Sequence, residues 1–343
     1  MTLDQARLRE TARAMVAEGK GILAADESNA TMRKRLEAVG VESTAESRRF
    51  FRGLLFTAQG AADYISGVIM FDETLRQTTA DGTAFPEFLT QEGILPGIKV
   101  DTGAKPLAGF PQEKVTEGLD GLRDRLRDYR ELGARFAKWR AVVRIDSGLP
   151  TRGCLEANAH ALARYAALCQ EAGIVPIVEP EVLMDGEHTI DRSEEVTAAV
   201  LRTVFDRLAE QRVLLEGIVL KPNMLLSGYD CHEQAGVEEV AERTLSCFRR
   251  VVPAAVPGIA FLSGGQSDER AAAHLSAMNT IDGVPWELTF SYGRALVGAP
   301  LRAWSGDDSK VAAARAAFLH RARCNAAARR GAYEDSMEHE LVA

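Results

Sequence analysis

The chain has 343 residues and is 46% hydrophobic but only 6% aromatic, so its core must be packed mainly from aliphatic side chains. Its formal charge is −8 with acidic and basic residues mixed along the length, which argues against a nucleic-acid-binding or membrane-facing surface. The five cysteines form no CxxC pair, the polar N-terminus has no apolar signal core, and no apolar run reaches spanning length, as expected of a cytoplasmic protein with reduced thiols.

Hydrophobic periodicity predicts helices alternating with short apolar strands. Residues 3–18 carry Leu3, Ala6, Leu8, Ala12, Met15 and Val16 at helical spacing. Residues 21–28 read as a buried strand closing on acid and hydroxyl groups, followed by helices over 31–39 and 45–60. A second strand at 64–72 leads through a polar connection, with a short helix at 85–90, to a third strand at 95–101. A charged helix is expected over 115–132, then a fourth strand at 135–145, an Ala/Leu-rich helix at 153–172 and a fifth strand at 175–181. Ser193 is a candidate N-cap for a helix reaching 211. The sixth strand lies within 214–224; it is apolar on both faces from Gly217 to Leu220 and is stopped by Pro222. A helix at 234–251, a seventh strand with its Gly-rich turn at 258–267, a helix at 268–280, an eighth strand at 286–296 and a last helix at 307–330 complete the pattern. The tail from Tyr333 to Ala343 is polar and expected to be mobile.

Eight short apolar strands separated by helices predict an α/β protein, a single (β/α)8 TIM barrel spanning residues 1–343 with 331–343 as a polar tail. A doubly wound sheet is the alternative, but it usually has fewer strands.

In such a barrel the site forms at the carboxyl ends of the strands. Those ends carry Asp26 and Ser28, Lys99, Lys138 and Arg140, Glu179 and Glu181, Lys221, Ser263, and Arg294. Strand alternation places Lys138 with Arg140, and Glu179 with Glu181. In the fifth strand Val175, Ile177, Glu179 and Glu181 form one face, while Ile174, Pro176, Val178 and Pro180 form an apolar face for the helices. Five cations against three carboxylates call for an anionic substrate. The Ser263-Gly264-Gly265 turn before a helix, and Ser291-Tyr292-Gly293-Arg294, offer backbone N–H groups and a guanidinium to a phosphate. Lys99 lies away from them in strand order, which suggests a second anion across the mouth.

A lysine at the end of a buried strand, beside carboxylates and a second lysine, suits Schiff-base chemistry. Burial and repulsion from Lys138 would favour a neutral Lys221 amine. Each feature has a plainer reading: a snorkelling lysine, a helix start at the GGQS turn, an ion network among Lys138, Arg140 and the glutamates. A barrel serving only as a scaffold also remains open. The histidines at 160, 188, 232, 274, 320 and 339 show no HxxxH-type spacing and read as surface or loop residues, so no metal is expected. Trp286 and Phe290 are expected in the core, with Trp139 packed outward against helices.

The motifs GKGILAADES, GIKVD, KWR, EPE, VLKPNM, LSGGQS and LTFSYGRAL, in this order between Gly19 and Leu296, together resemble the class I, metal-independent fructose-1,6-bisphosphate aldolases. The resemblance implies a homotetrameric lyase of glycolysis and gluconeogenesis that cleaves fructose 1,6-bisphosphate to dihydroxyacetone phosphate and glyceraldehyde 3-phosphate. A Schiff-base lyase for another phosphorylated ketose is the alternative. By position, Lys221 matches the Schiff-base lysine and Glu179 the acid/base of dehydration. Asp26 matches the group that helps deprotonate the C4 hydroxyl, Lys138 a stabiliser of negative charge, and Glu181 a support for Lys221. Ser263, Gly264, Ser291, Gly293 and Arg294 match the 1-phosphate side; Ser28, Thr31, Arg35, Lys99 and Arg140 match the 6-phosphate and C4 side. The chain departs from members that end in a mobile tail with a terminal tyrosine: its last residues are Glu340-Leu341-Val342-Ala343, and Tyr333 sits too early for that role.

Overall fold

The structure, a computed structural model, describes residues 3–340. The chain begins with α1 (Leu3–Met15), β1 (Gly21–Ala25), α2 (Asn29–Glu37), α3 (Ala45–Phe56), β2 (Ile65–Met70), α4 (Asp72–Leu75), α5 (Phe85–Gln91) and β3 (Leu95–Lys99). A hairpin of β4 (Gly103–Pro106) and β5 (Lys114–Glu117) precedes α6 (Leu122–Glu131), β6 (Phe136–Val143), α7 (Arg152–Glu171), β7 (Val175–Val182) and α8 (Ile190–Glu210). Then come β8 (Val219–Leu220), α9 (Val237–Val251), β9 (Gly258–Phe261), α10 (Asp268–Asn279), β10 (Glu287–Tyr292), α11 (Arg294–Trp304) and α12 (Val311–Ala328). Eight parallel strands close into a barrel in the order β1-β10-β9-β8-β7-β6-β3-β2. This is the (β/α)8 architecture expected from the alternation of apolar runs.

Strand alternation divides the apolar side chains into two cores. Ile22, Ala24, Ile69, Phe136, Val175, Ile177, Val219 and Ala260 fill the barrel, together with Leu8, Ala12 and Met15 from α1 and Val16 just after it. The first helix therefore plugs the amino-terminal end and leaves the other end for chemistry. Phe136 fits because its register partner is Gly97, where a Cβ would lie 2.2 Å from the Phe136 ring. The alternate residues, including Trp139, Val178, Leu220, Ile259 and Phe290, pack outward into the helical layer. Trp139 meets Tyr165 of α7 at 5.5 Å between ring centroids, and Trp286 is also buried.

Several expected boundaries move. The helix expected over 115–132 starts only at Leu122, because Val115 and Thr116 are in the hairpin. That hairpin docks on the barrel: the Thr116 hydroxyl donates to the Arg140 carbonyl (2.7 Å), and its N–H donates to Asn158 Oδ1 (3.3 Å). The sixth strand contracts to Val219–Leu220, and Leu215–Gly217 form a 3₁₀ turn. Thr189, rather than Ser193, caps α8 by accepting from the Arg192 N–H (3.3 Å); Ser193 lies buried one turn inside. Residues from Arg294 onward leave the eighth strand and form α11, which the sequence pattern did not separate.

The tail is not the loose segment expected. Tyr333 is buried, and Asp335–His339 form a 3₁₀ helix against α12. Glu338 accepts from Arg321 and from the Tyr333 hydroxyl (2.8 Å), and Glu340 pairs with Arg323. Residues 341–343 lie outside the described chain.

Candidate active site

Moving up the barrel, the inward face changes from apolar to charged within single strands. In β6 the inward series is Phe136, Lys138, Arg140; in β7 it is Val175, Ile177, Glu179, Glu181. Register places Lys138 beside Lys99 of β3, and Arg140 beside Glu179. Beyond β8 the Lys221 N–H still donates to the Val178 carbonyl (2.8 Å), so the amine leaves a backbone tied to β7. Asn223 continues the tie where Pro222 cannot donate: its Oδ1 accepts from the Val182 N–H at 3.0 Å.

These supports bring four side chains into one buried chain of charge. Lys138 Nζ lies 2.6 Å from Asp26 Oδ2 and 3.3 Å from Glu179 Oε2. Lys221 Nζ lies 3.1 Å from Glu179 Oε1. In the barrel β2 and β3 separate β1 from β6, so the Asp26–Lys138 contact crosses the mouth.

Burial alone would raise the Asp26 carboxyl, but Lys138 and Lys221 outweigh it and bring the pKa down to about 2. Burial also raises Glu179, and the same two ammonium groups plus Arg140 leave it below the ordinary carboxylate range. Lys138 feels burial in the opposite sense, yet Asp26 and Glu179 hold it above the usual lysine value. Lys138 is therefore a fixed cation, whereas Lys221 has one carboxylate partner placed to take its proton.

The other predicted residues fall into two groups around this chain. On one side a cavity of about 610 Å³ is lined by Asp26, Ser28, Thr31, Arg35, Lys99, Lys138 and Arg140, among others. Ser28 caps α2 by accepting from the Thr31 N–H (3.3 Å), and the two hydroxyls lie 3.2 Å apart. Lys99 Nζ pairs with Asp101 Oδ1 at 2.5 Å, and Arg35 pairs with Glu27. Sequence reasoning overlooked these two acids, although Asp101 follows a strand as Asp26 does; with them the mouth is less positive than expected.

Glu181 departs from its expected place. It pairs with Arg140 rather than with Lys221, because the two side chains meet on the inward faces of adjacent strands. Arg140 is lowered by burial but raised more by Glu181, so it remains a permanent cation.

On the opposite side, Ser263 follows β9 and leads into Gly264 and Gly265, with φ of +61° and +93°. These values fall in the left-handed region, which glycine enters without a Cβ penalty. Arg294 opens α11, is exposed and makes no hydrogen bond or ion pair among the described residues. A Cβ built on Gly265 would lie 3.1 Å from Arg294 Nη2, so the guanidinium stands over the turn. At Gly293 a Cβ would be 3.3 Å from the Ala24 carbonyl, which brings α11 close to β1. Ser291 is buried, and its hydroxyl has no hydrogen-bond partner among the described residues.

The histidines need one correction: His274 is buried, with Nδ1 2.6 Å from Gln266 Oε1. Folding also gathers His320, Cys324 and Glu338, whose ligand-type atoms lie within 4.8 Å of one another. Glu338 in this cluster is already engaged by Arg321 and Tyr333, a cation and a phenol donor.

The family model for class-I fructose-bisphosphate aldolase matches residues 7–342. A probable class 1 fructose-bisphosphate aldolase from Xanthomonas campestris is 56% identical over 97% of this chain and all of its own length. The fructose-bisphosphate aldolase of Dictyostelium discoideum is 50% identical over 94% of this chain and 91% of its own. A solved structure of fructose-bisphosphate aldolase from Plasmodium falciparum, in complex with TRAP and a small-molecule inhibitor, superposes with a TM-score of 0.95 at 46% identity, covering 96% of each chain. With this barrel, the buried lysine–carboxylate chain at its mouth and matches over nearly the full length, the chain belongs to the class-I fructose-bisphosphate aldolase family of carbon–carbon lyases.

Proposed function

We propose that Lys221 is the nucleophile through which this chain reversibly cleaves fructose 1,6-bisphosphate to dihydroxyacetone phosphate and glyceraldehyde 3-phosphate. The observation that carries the assignment is the 3.1 Å contact between Lys221 Nζ and Glu179 inside a buried charge chain. Glu179 takes a proton from the ammonium, and the free amine attacks the C2 ketone. Glu179 returns a proton to the carbinolamine hydroxyl, which leaves as water and forms the iminium. The iminium accepts the electron pair of the C3–C4 bond while ionised Asp26 takes the C4 hydroxyl proton. Lys138, held protonated, stabilises negative charge on the substrate oxygens. Protonation of the enamine and hydrolysis then release dihydroxyacetone phosphate and restore the amine.

The 1-phosphate belongs in this reading on Ser263, Gly264, Ser291, Gly293 and Arg294, where an unpaired guanidinium and left-handed glycines meet. The 6-phosphate and the C4 side belong with Ser28, Thr31, Arg35, Lys99 and Arg140 around the cavity. Glu181 acts here through Arg140. No metal enters the cycle, so turnover should persist after treatment with a chelator. By family resemblance the enzyme is a cytoplasmic homotetramer, which sedimentation of the purified protein would test. No helix among the described residues is long and apolar enough to cross a membrane.

Borohydride added with substrate should inactivate the enzyme and leave a reduced adduct on Lys221, read by peptide mass spectrometry. An adduct elsewhere, or no adduct, would remove Lys221 from the mechanism.

A further inference from the structure

Tyr229 follows the Lys221 segment and has no part in the cycle above. It is 47% exposed, yet its backbone is held firmly. The Tyr229 N–H donates to the Met184 carbonyl (2.9 Å), Gly228 N–H to His188 (2.7 Å) and Asp230 N–H to Gly186 (3.0 Å). These bonds stitch residues 228–230 to the loop after β7. From this base the phenol reaches the Ser263-Gly264-Gly265 turn, where its hydroxyl donates to the Gly264 carbonyl. A Cβ built on Gly265 would lie 3.0 Å from the Tyr229 hydroxyl and 3.1 Å from Arg294 Nη2, so phenol and guanidinium flank the same glycine.

The planar trans peptide fixes what this contact does. Its C=O and the following N–H point in opposite directions. Holding the Gly264 carbonyl therefore holds the Gly265 N–H on the other side of the peptide plane. Both glycines sit at positive φ and have many alternative backbone conformations, so an unanchored peptide here could turn over at little cost. Neither the Gly264 nor the Gly265 N–H donates a hydrogen bond among the described residues. We propose that Tyr229 is a positioning residue that locks the Gly264-Gly265 peptide, so that its N–H and Arg294 meet the 1-phosphate as a preformed cradle. This rests on the reading of that turn as the 1-phosphate site.

The test is steady-state cleavage of fructose 1,6-bisphosphate by the full-length enzyme and by Tyr229→Phe, with each product as inhibitor. Dihydroxyacetone phosphate carries only the phosphate this turn receives; glyceraldehyde 3-phosphate carries only the other. Tyr229→Phe should raise KM and the inhibition constant of dihydroxyacetone phosphate about three- to tenfold, the scale of one lost hydrogen bond, and leave kcat within about twofold. Inhibition by glyceraldehyde 3-phosphate should not change. Arg294→Ala is the control and should weaken dihydroxyacetone phosphate more strongly. If Arg294→Ala weakens it and Tyr229→Phe does not, or if Tyr229→Phe weakens both products alike, the inference on Tyr229 is overturned. If Arg294→Ala has no effect either, the phosphate assignment of the turn fails with it.

Discussion

Lys138 is held by two carboxylates at once, so removing it has two consequences. Lys138→Met leaves Asp26 buried without its ion-pair partner and Glu179 with Lys221 alone, which should destabilise the fold by about 3–5 kcal/mol in denaturant unfolding at neutral pH. The gap from wild type should narrow as the pH falls, because the stranded Asp26 carboxylate can then be protonated. Lys221→Met differs, since Glu179 keeps its contact with Lys138 and no second acid is stranded. Turnover should fall by more than about three orders of magnitude while the far-ultraviolet circular dichroism is retained. Loss of the spectrum together with the activity would mean that Lys221 supports the fold rather than the chemistry. Lys221, Glu179, Asp26 and Lys138 were legible because polar groups at the ends of apolar strands have no core role. Asp101 and Glu27 were less so, because their pairing with Lys99 and Arg35 depends on how turns fold back over the mouth.

At the scale of elements, the two ends of the chain are joined beneath the barrel. Arg329, just past α12, is buried: Nη2 donates to the Val16 carbonyl (2.7 Å) and to Glu287 (2.7 Å), and Nη1 to the Leu288 carbonyl (2.8 Å). It clamps the last helix to the exit of α1, the plug of the barrel. In the sequence the Arg329-Arg330 pair looks like an ordinary basic helix end, and nothing local distinguishes the buried member. Arg329→Met should destabilise the protein by about 2–4 kcal/mol, since it leaves buried carbonyls without donors. A urea midpoint unchanged from wild type would show that water replaces the guanidinium. The β4–β5 hairpin illustrates the opposite limit of local reading. Its few strand residues adjoin a charged helical pattern, and its place is decided by Thr116 bonding to Arg140 and Asn158, far away in sequence.

For the molecule as a whole, buried titratable groups set the acid limit of stability. Burial, with a smaller contribution from Arg270, lowers His274 from 6.5 to about 4. Between those values the unfolded chain binds a proton that the folded chain refuses, so stability is lost as the pH falls from 6.5 toward 4, by about 3 kcal/mol from this group. Asp26 has the depressed pKa of a paired carboxylate; its contribution is complete above 3.8 and is lost only as the pH falls toward 2. In urea unfolding, the stability of the wild type relative to His274→Gln should therefore be constant above 6.5 and fall by about 3 kcal/mol as the pH drops toward 4. Parallel curves would assign the loss to other groups.

The sequence by itself determined the barrel and the identity of the groups at its mouth. Strand periodicity requires one face to be inside, and a run that is apolar below and charged above can place its charges only at the open end. Tertiary structure alone decided which charge neutralises which. The pairing of Asp26 with Lys138 spans two intervening strands, Glu181 turns to Arg140, and the tail folds onto α12 through Arg321 and Arg323. Partner choice depends on closure of the barrel and on distances across it, and no local pattern along the chain encodes those distances.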